Sequence, residues 1–118
     1  MPHNLQPYGG SAYFCLPKNH VSYIIEYLKD KPDILDFFRQ TFAPDEIFFQ
    51  TIIMNSPLRE TVVTDNLRYI NWSIGGPHPS FLTMADADKL LNTSKLFARK
   101  FDVELDEKIL NFIDNNKN

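Results

Sequence analysis

Apolar positions fall along this chain in helical and in strand-like rhythms, and each rhythm predicts its own elements. From Lys18 they are Val21, Ile24, Ile25 and Leu28, the spacing of one helical face. Lys31-Pro32 breaks that helix. Pro32 then suits the first turn of a second helix carrying Ile34, Leu35, Phe37, Phe38 and Phe42, because the donor that proline lacks would have no partner there. Ala43-Pro44-Asp45-Glu46 reads as a third helix start, with proline early and two acids at the positive end of the helix dipole. That helix is expected to run through Ile47, Phe48, Ile52 and Ile53 and to stop at Asn55-Ser56-Pro57. Apolar and β-rich runs at 12–16, 61–64 and 67–72 predict strands, the last two separated by the turn signal Asp65-Asn66. Residues 73–80 hold Gly75-Gly76-Pro77-His78-Pro79 and predict a loop. Thr83 predicts the cap of a helix over 84–91, with Asp86 three residues on as a short-armed capping box. A strand-like run at 96–101 follows, then an amphipathic helix with Leu105, Ile109, Leu110, Phe112 and Ile113.

Helices outnumber strands and the two alternate loosely, which predicts the α/β class with short strands covered by helices. Residues 1–10, rich in Pro, Gly and polar side chains, read as an N-terminal loop. Residues 11–114 read as one uninterrupted piece without repeat or linker, and 115–118 as a polar tail.

Composition narrows the function. With 118 residues, 43% hydrophobic and 23% charged, the chain has the make-up of one ordinary soluble domain. A net charge of -3 with no basic block argues against nucleic acid as a partner. Cys15 is the one cysteine, which excludes an internal disulfide and a Cys-based zinc site, and its apolar surroundings predict a small buried hydrophobe. The N-terminus lacks the pattern of a signal peptide, and no apolar run approaches the roughly 20 residues of a bilayer span. The expectation is a reduced, cytoplasmic protein. Asn71-Trp-Ser73 and Asn92-Thr-Ser94 match the glycosylation pattern, a motif common by chance.

No phosphate loop, dinucleotide-binding glycine pattern or His-Glu-x-x-His is present. His3, His20 and His78 lack ligand spacing, so no metal site is expected. Asp86-Ala-Asp88 has the spacing of a metal-holding acidic triplet. It lies in a predicted helix, where residues two apart face different ways, and both acids read as a solvated face.

Three features carry candidate chemistry. Glu46 follows Pro44-Asp45 at a helix start and precedes Ile47-Phe48-Phe49; a carboxylate there can serve as a general base or be ordinary helix-start acidity. Arg99-Lys100 are adjacent cations in an apolar run, suited to a diphosphate or to a salt bridge with a nearby acid. Trp72 stands beside the flexible Gly-Pro loop, where an aromatic face can stack on a sugar or belong to the core.

Four ordered segments, Gly9-Gly10-Ser11-Ala12-Tyr13-Phe14, Pro44-Asp45-Glu46-Ile47-Phe48-Phe49, Asp65-Asn66-Leu67-Arg68-Tyr69-Ile70-Asn71-Trp72 and Leu96-Phe97-Ala98-Arg99-Lys100-Phe101-Asp102, together resemble the C-terminal region of one enzyme family. It is that of the core-2/I-branching N-acetylglucosaminyltransferases and peptide O-xylosyltransferases. The resemblance implies a variant of the GT-A nucleotide-sugar transferase fold and metal-independent transfer from a UDP-sugar, with inversion, to a carbohydrate or protein hydroxyl. It implies Glu46 as catalytic base, Arg99 and Lys100 on the diphosphate, Trp72 and Ser11 at the acceptor, and no cofactor or metal. In the xylosyltransferases the base is an Asp directly after the Gly-Gly-Ser; here that position is Ala12, as in the core-2 branch. The stretch from Phe48 to Trp72 nevertheless looks closer to the xylosyltransferases, so the donor stays open between N-acetylglucosamine, xylose and another sugar. The family's uracil- and ribose-binding half lies upstream of this region. The chain is therefore expected to be incomplete, with an apolar face that would favour self-association or association with that half. A non-catalytic binding or interaction module on the same scaffold is the alternative.

Overall fold

Residues 1–116 are described by a computed structural model, in which the chain divides into two compact units, Met1–Asn66 and Leu67–Asn118. Lys117 and Asn118, the end of the expected polar tail, lie outside the described residues.

The first unit is helical. Helix α1 spans Lys18–Leu28, α2 spans Pro32–Arg39 and α3 spans Phe48–Met54. Pro32 opens α2 as its locked φ and missing donor require, and Ile34 and Phe38, four apart, are its buried pair. They meet Leu5 in one apolar cluster, while Ile24 of α1 meets Ile52 and Ile53 of α3 in another. The face of α1 matches the expected one in part: Ile24 is buried and Leu28 packs against the core, while Val21 and Ile25 are exposed. The buried stripe instead takes in His20, one turn before Ile24. The polar His20 hid its own place in that stripe. Its Nε2 lies 2.8 Å from the Thr61 hydroxyl, which itself donates to the Leu58 carbonyl at 2.6 Å. The hydroxyl proton is thereby committed, so Nε2 carries the ring proton.

Two predicted strands are absent. Residues 12–16 alternate as a strand would: Phe14 and Leu16 are partly buried, with Phe14 5.3 Å from the Phe49 ring, and Tyr13 and Cys15 are exposed. The segment is assigned to no strand. Cys15 is thus a surface residue and not the buried hydrophobe expected. The run at 61–64 also fails. Ser56 caps Leu58 and Pro57 opens a single 3-10 turn, Pro57–Thr61, after which Val62 and Val63 are exposed. β-Branched residues favour strands only where a sheet surface receives them.

Residues 6–10 run past α3 and are held by side chains. Asn55 Oδ1 accepts from the Gln6 amide at 3.0 Å and Asn55 Nδ2 donates to the Gln6 carbonyl at 2.8 Å. The Thr51 hydroxyl accepts from the Tyr8 amide at 3.1 Å and lies 3.2 Å from the Tyr8 carbonyl as donor. The Pro2–Asn4 turn adds a short 3-10 segment to a stretch expected to be loop throughout.

In the second unit β1 (Arg68–Ile70) and β2 (Phe97–Arg99) pair in parallel, Tyr69 opposite Ala98. Between them lie the glycine loop, a 3-10 turn at Met84–Asp86 and α4 (Ala87–Asn92); α5 (Glu107–Asn116) packs against α4. Parallel neighbours require such a crossover, which accounts for the α/β alternation. Leu82 and Ile109 are wholly buried.

The capping box forms as expected: Thr83 Oγ1 accepts from the Ala85 amide and Asp86 reaches back to the Thr83 amide at 3.0 Å. Asp86 is not part of a solvated face, however. It is 6% exposed, and its other oxygen accepts from Asn71 Nδ2 at 3.1 Å. Of the acidic pair Asp88 alone is exposed.

Asp86→Ala is expected to lower unfolding free energy by roughly 1–3 kcal/mol, since it strands the Thr83 amide and the Asn71 amide. Asp88→Ala should stay within about 0.5 kcal/mol of wild type. Urea titration of both variants checks the contrast, and equal losses would overturn it.

Asp106 gives a pH dependence. It accepts from the Met84 amide at 2.9 Å and from the Ile109 amide at 3.2 Å, joining the Met84 turn to the start of α5. The Met84 bond above all, and then those from the α5 amides, hold its carboxyl below the usual carboxylate range. A depressed folded value means stability fully present above the unfolded carboxylate range and lost as pH falls through the folded one. Asp106→Asn should therefore flatten the acid limb of a melting-temperature profile. A limb as steep as wild type would contradict that.

Candidate functional site

Glu46 lies in a one-turn 3-10 helix, Pro44–Glu46, and not in the first turn of α3. Ile47, at φ -131° and ψ -24°, separates the two. The chain arrives through Ala43 in the left-handed region at φ 49°, a conformation that costs an L-residue about 1–2 kcal/mol. Pro44 contributes to this, because a proline disfavours the right-handed helical region for the residue before it. Glu46 is exposed.

The turn is tied to the glycine-rich segment. The Gly10 amide donates to the Glu46 carbonyl at 2.9 Å. Gln50 Nε2 donates to the Ser11 carbonyl at 3.0 Å and lies 3.4 Å from the Asp45 carbonyl. Ser11 Oγ accepts from the Tyr13 amide at 3.0 Å and from Asn66 Nδ2 at 3.3 Å. With both lone pairs taken, that hydroxyl can meet a further group only as a donor. Two predicted site residues, Ser11 and Glu46, are thus neighbours in one hydrogen-bonded assembly. Beside it an open apolar groove is lined by Leu35, Phe38, Pro44 and Phe48, with Arg39 and Asp45 as its polar members.

The second unit gathers the other three. β1 and β2 run in parallel with Ile70 opposite Arg99, so both chains leave the sheet at the same end. Asn71 leaves β1 and bridges to Ser80; Trp72 follows, 53% exposed. Its carbonyl accepts from the Gly75 amide at 2.9 Å, and Gly75 and Gly76 adopt φ 79° and 89°, which glycine tolerates. On the other strand β2 ends at Arg99 and Lys100 lies just beyond it. Both are half-buried, and the Lys100 carbonyl accepts from the Leu82 amide at 2.7 Å. Ending the strand there removes the demand that adjacent cations point to opposite faces. The region outside the carboxyl ends of parallel strands is where open α/β sheets hold ligands.

Sequence reasoning missed Gln50, Asn66, Thr51 and Asn55. All four act on backbone groups or side chains far away in sequence, which no local pattern encodes.

The chain matches the core-2/I-branching enzyme family over residues 1–92. It is 32% identical to xylosyltransferase 2 of Rattus norvegicus and to that of Homo sapiens, in each case over 90% of this chain. It is 29% identical to xylosyltransferase 1 of Homo sapiens over 97% of this chain. The match takes in 14% of the length of each of these relatives. With the family matched across most of its residues, and with relatives at this level of identity, the chain belongs to the core-2/I-branching enzyme family.

Proposed function

We propose that this chain supplies the acceptor-activating and diphosphate-holding parts of an inverting, metal-independent glycosyltransferase of GT-A type. The donor is a UDP-sugar of the N-acetylglucosamine or xylose type, and the acceptor is a carbohydrate or protein hydroxyl. The observation that carries this reading, beside family membership, is the tie between the Glu46 turn and the Gly10-Ser11 segment. An exposed carboxylate on a braced turn is suited to meet an incoming hydroxyl.

The chemistry is a single displacement. The acceptor oxygen forms a bond to the anomeric carbon on the face opposite the diphosphate, and Glu46 takes the hydroxyl proton. The bond from that carbon to the diphosphate oxygen breaks with its electron pair, so configuration inverts and UDP departs with added negative charge. Arg99 and Lys100 stabilise that charge as it grows, the Arg as a planar fork and the Lys as a compact point charge. Trp72 offers a half-exposed ring for an acceptor sugar face, and Ser11 offers one donor. The position of Arg99 and Lys100 where a parallel strand ends supports their role, as does the crossover through α4 the GT-A assignment. Asp86 bears on the metal. It is 6% exposed and each of its carboxylate oxygens accepts a hydrogen bond within the fold, and its neighbour in the Asp-x-Asp spacing, Asp88, faces solvent.

Glu46→Gln should reduce kcat of sugar transfer by about 10²–10⁴-fold, the contribution of a positioned base, with UDP affinity unchanged. Retained kcat would overturn the reading of Glu46 as the base.

Lys100→Ala and Arg99→Ala should each weaken UDP binding by roughly 1.5–3 kcal/mol, the range of a hydrogen bond to a charged group. Calorimetry in the presence of a chelator reads this directly, and the difference should shrink at high salt. Unchanged affinity in both variants would assign these cations to the fold alone.

A further inference from the structure

The carboxamide of Gln50 stands where two segments meet, and one of its two ends is left unsatisfied. Nε2 lies 3.0 Å from the Ser11 carbonyl and 3.4 Å from the Asp45 carbonyl. Oε1 is buried and has no hydrogen-bond partner. A buried acceptor without a donor destabilises the folded state, and an apolar side chain of the same length would fill the space without that penalty. What the carboxamide offers and leucine does not is a donor for two carbonyls. Those carbonyls belong to the residue before Glu46 and to Ser11. The Gly10 amide bonds the Glu46 carbonyl at 2.9 Å, so residues 10 and 11 are fastened to residues 45 and 46 at two adjacent points.

The Glu46 turn needs such a brace. It is one turn long and is cut from α3 by the non-helical Ile47. Gln50, in the first turn of α3, spans that break from the helical side. We propose that Gln50 is a positioning residue: it locks the Ser11 segment onto the Glu46 turn and thereby sets the aim of the Glu46 carboxylate at the acceptor hydroxyl. The proposal rests on the reading of Glu46 as base. It assigns Gln50 no contact with substrate.

The test uses Gln50→Leu, which removes the donor, and Gln50→Glu, which keeps the shape but sets an acceptor against two carbonyls. Hydrogen exchange at the Gly10 amide, followed by NMR on the 118-residue chain, reports the clasp independently of any activity. In both variants Gly10 exchange should accelerate by on the order of tenfold or more, while the amides of α1 keep their protection. In transfer assays kcat should fall by about 10- to 100-fold, as for a misaimed catalytic group, with donor KM unchanged. Unchanged Gly10 protection in both variants would overturn the proposal. So would lost protection with full kcat, provided Glu46→Gln is inactive. A fully active Glu46→Gln would instead overturn the base reading, with the Gly10 exchange result standing apart from it.

Discussion

The first unit depends on α3 acting as a surrogate strand for the chain before it. Thr51 in α3 and Asn55, the residue that closes it, take up the amide and carbonyl of Tyr8 and of Gln6, alternate residues of the passing segment. Each such bond contributes about 0.5–1.5 kcal/mol net, and leaving these groups without partners would cost more. Thr51 is wholly buried, so the segment is bonded to the interior and not to a surface. Because the anchoring groups sit on a rigid helix, the register of residues 6–8 is fixed, and that of Gly10 and Ser11 follows within a few residues. The bond from Gly10 to Glu46 and the one from Gln50 to Ser11 continue the same device along the same segment. The Glu46 turn is thus framed by a helix whose polar side chains serve the chain and whose apolar ones, Ile52 and Ile53, serve the core.

The second unit meets a different constraint. A parallel pair of three-residue strands cannot stand on its own ladder of hydrogen bonds, and its crossover must be anchored at both ends. Asp86 does this at one end, binding Thr83 within its own turn and Asn71 directly after β1. The Leu82 amide, midway along the crossover, adds a second tie by bonding the carbonyl of Lys100 directly after β2. Both anchors fall where the strands finish, beside Trp72 on one strand and the Arg99-Lys100 pair on the other. Framing of this kind suits the proposed role of the two cations, since a loosely held cation must be ordered again at each binding event.

Legibility in the sequence followed the range of the interaction. Pro32, the Thr83-Asp86 box and the glycine loop were all readable, because each acts within a few residues of itself. The strand expected at 12–16 has the right alternation, yet strand assignment requires a partner that no local pattern supplies. The place of His20 in the buried stripe of α1 was not readable because the residue is polar, and its partner Thr61 lies 41 residues on. Among the candidate site residues, Glu46, Ser11 and Trp72 stood out through motif and chemistry, and their local settings follow from the fold. Gln50 did not, because its partner Ser11 lies 39 residues earlier.

The break at Ile47 then has a consequence for the whole Glu46 assembly. Had the helix run unbroken from Pro44, as the sequence pattern predicts, the Glu46 carbonyl would have been claimed by an amide four residues on. The 3-10 turn and the irregular Ile47 leave that carbonyl to Gly10 instead, and the Asp45 carbonyl to Gln50. Carbonyls released from the helix ladder are what fasten the glycine segment, so an apparent defect in helix periodicity is the means by which two distant stretches of sequence are joined. Left-handed Ala43 belongs to the same arrangement: it turns the chain so that Pro44 can begin a separate turn, at a conformational cost that the surrounding bonds offset.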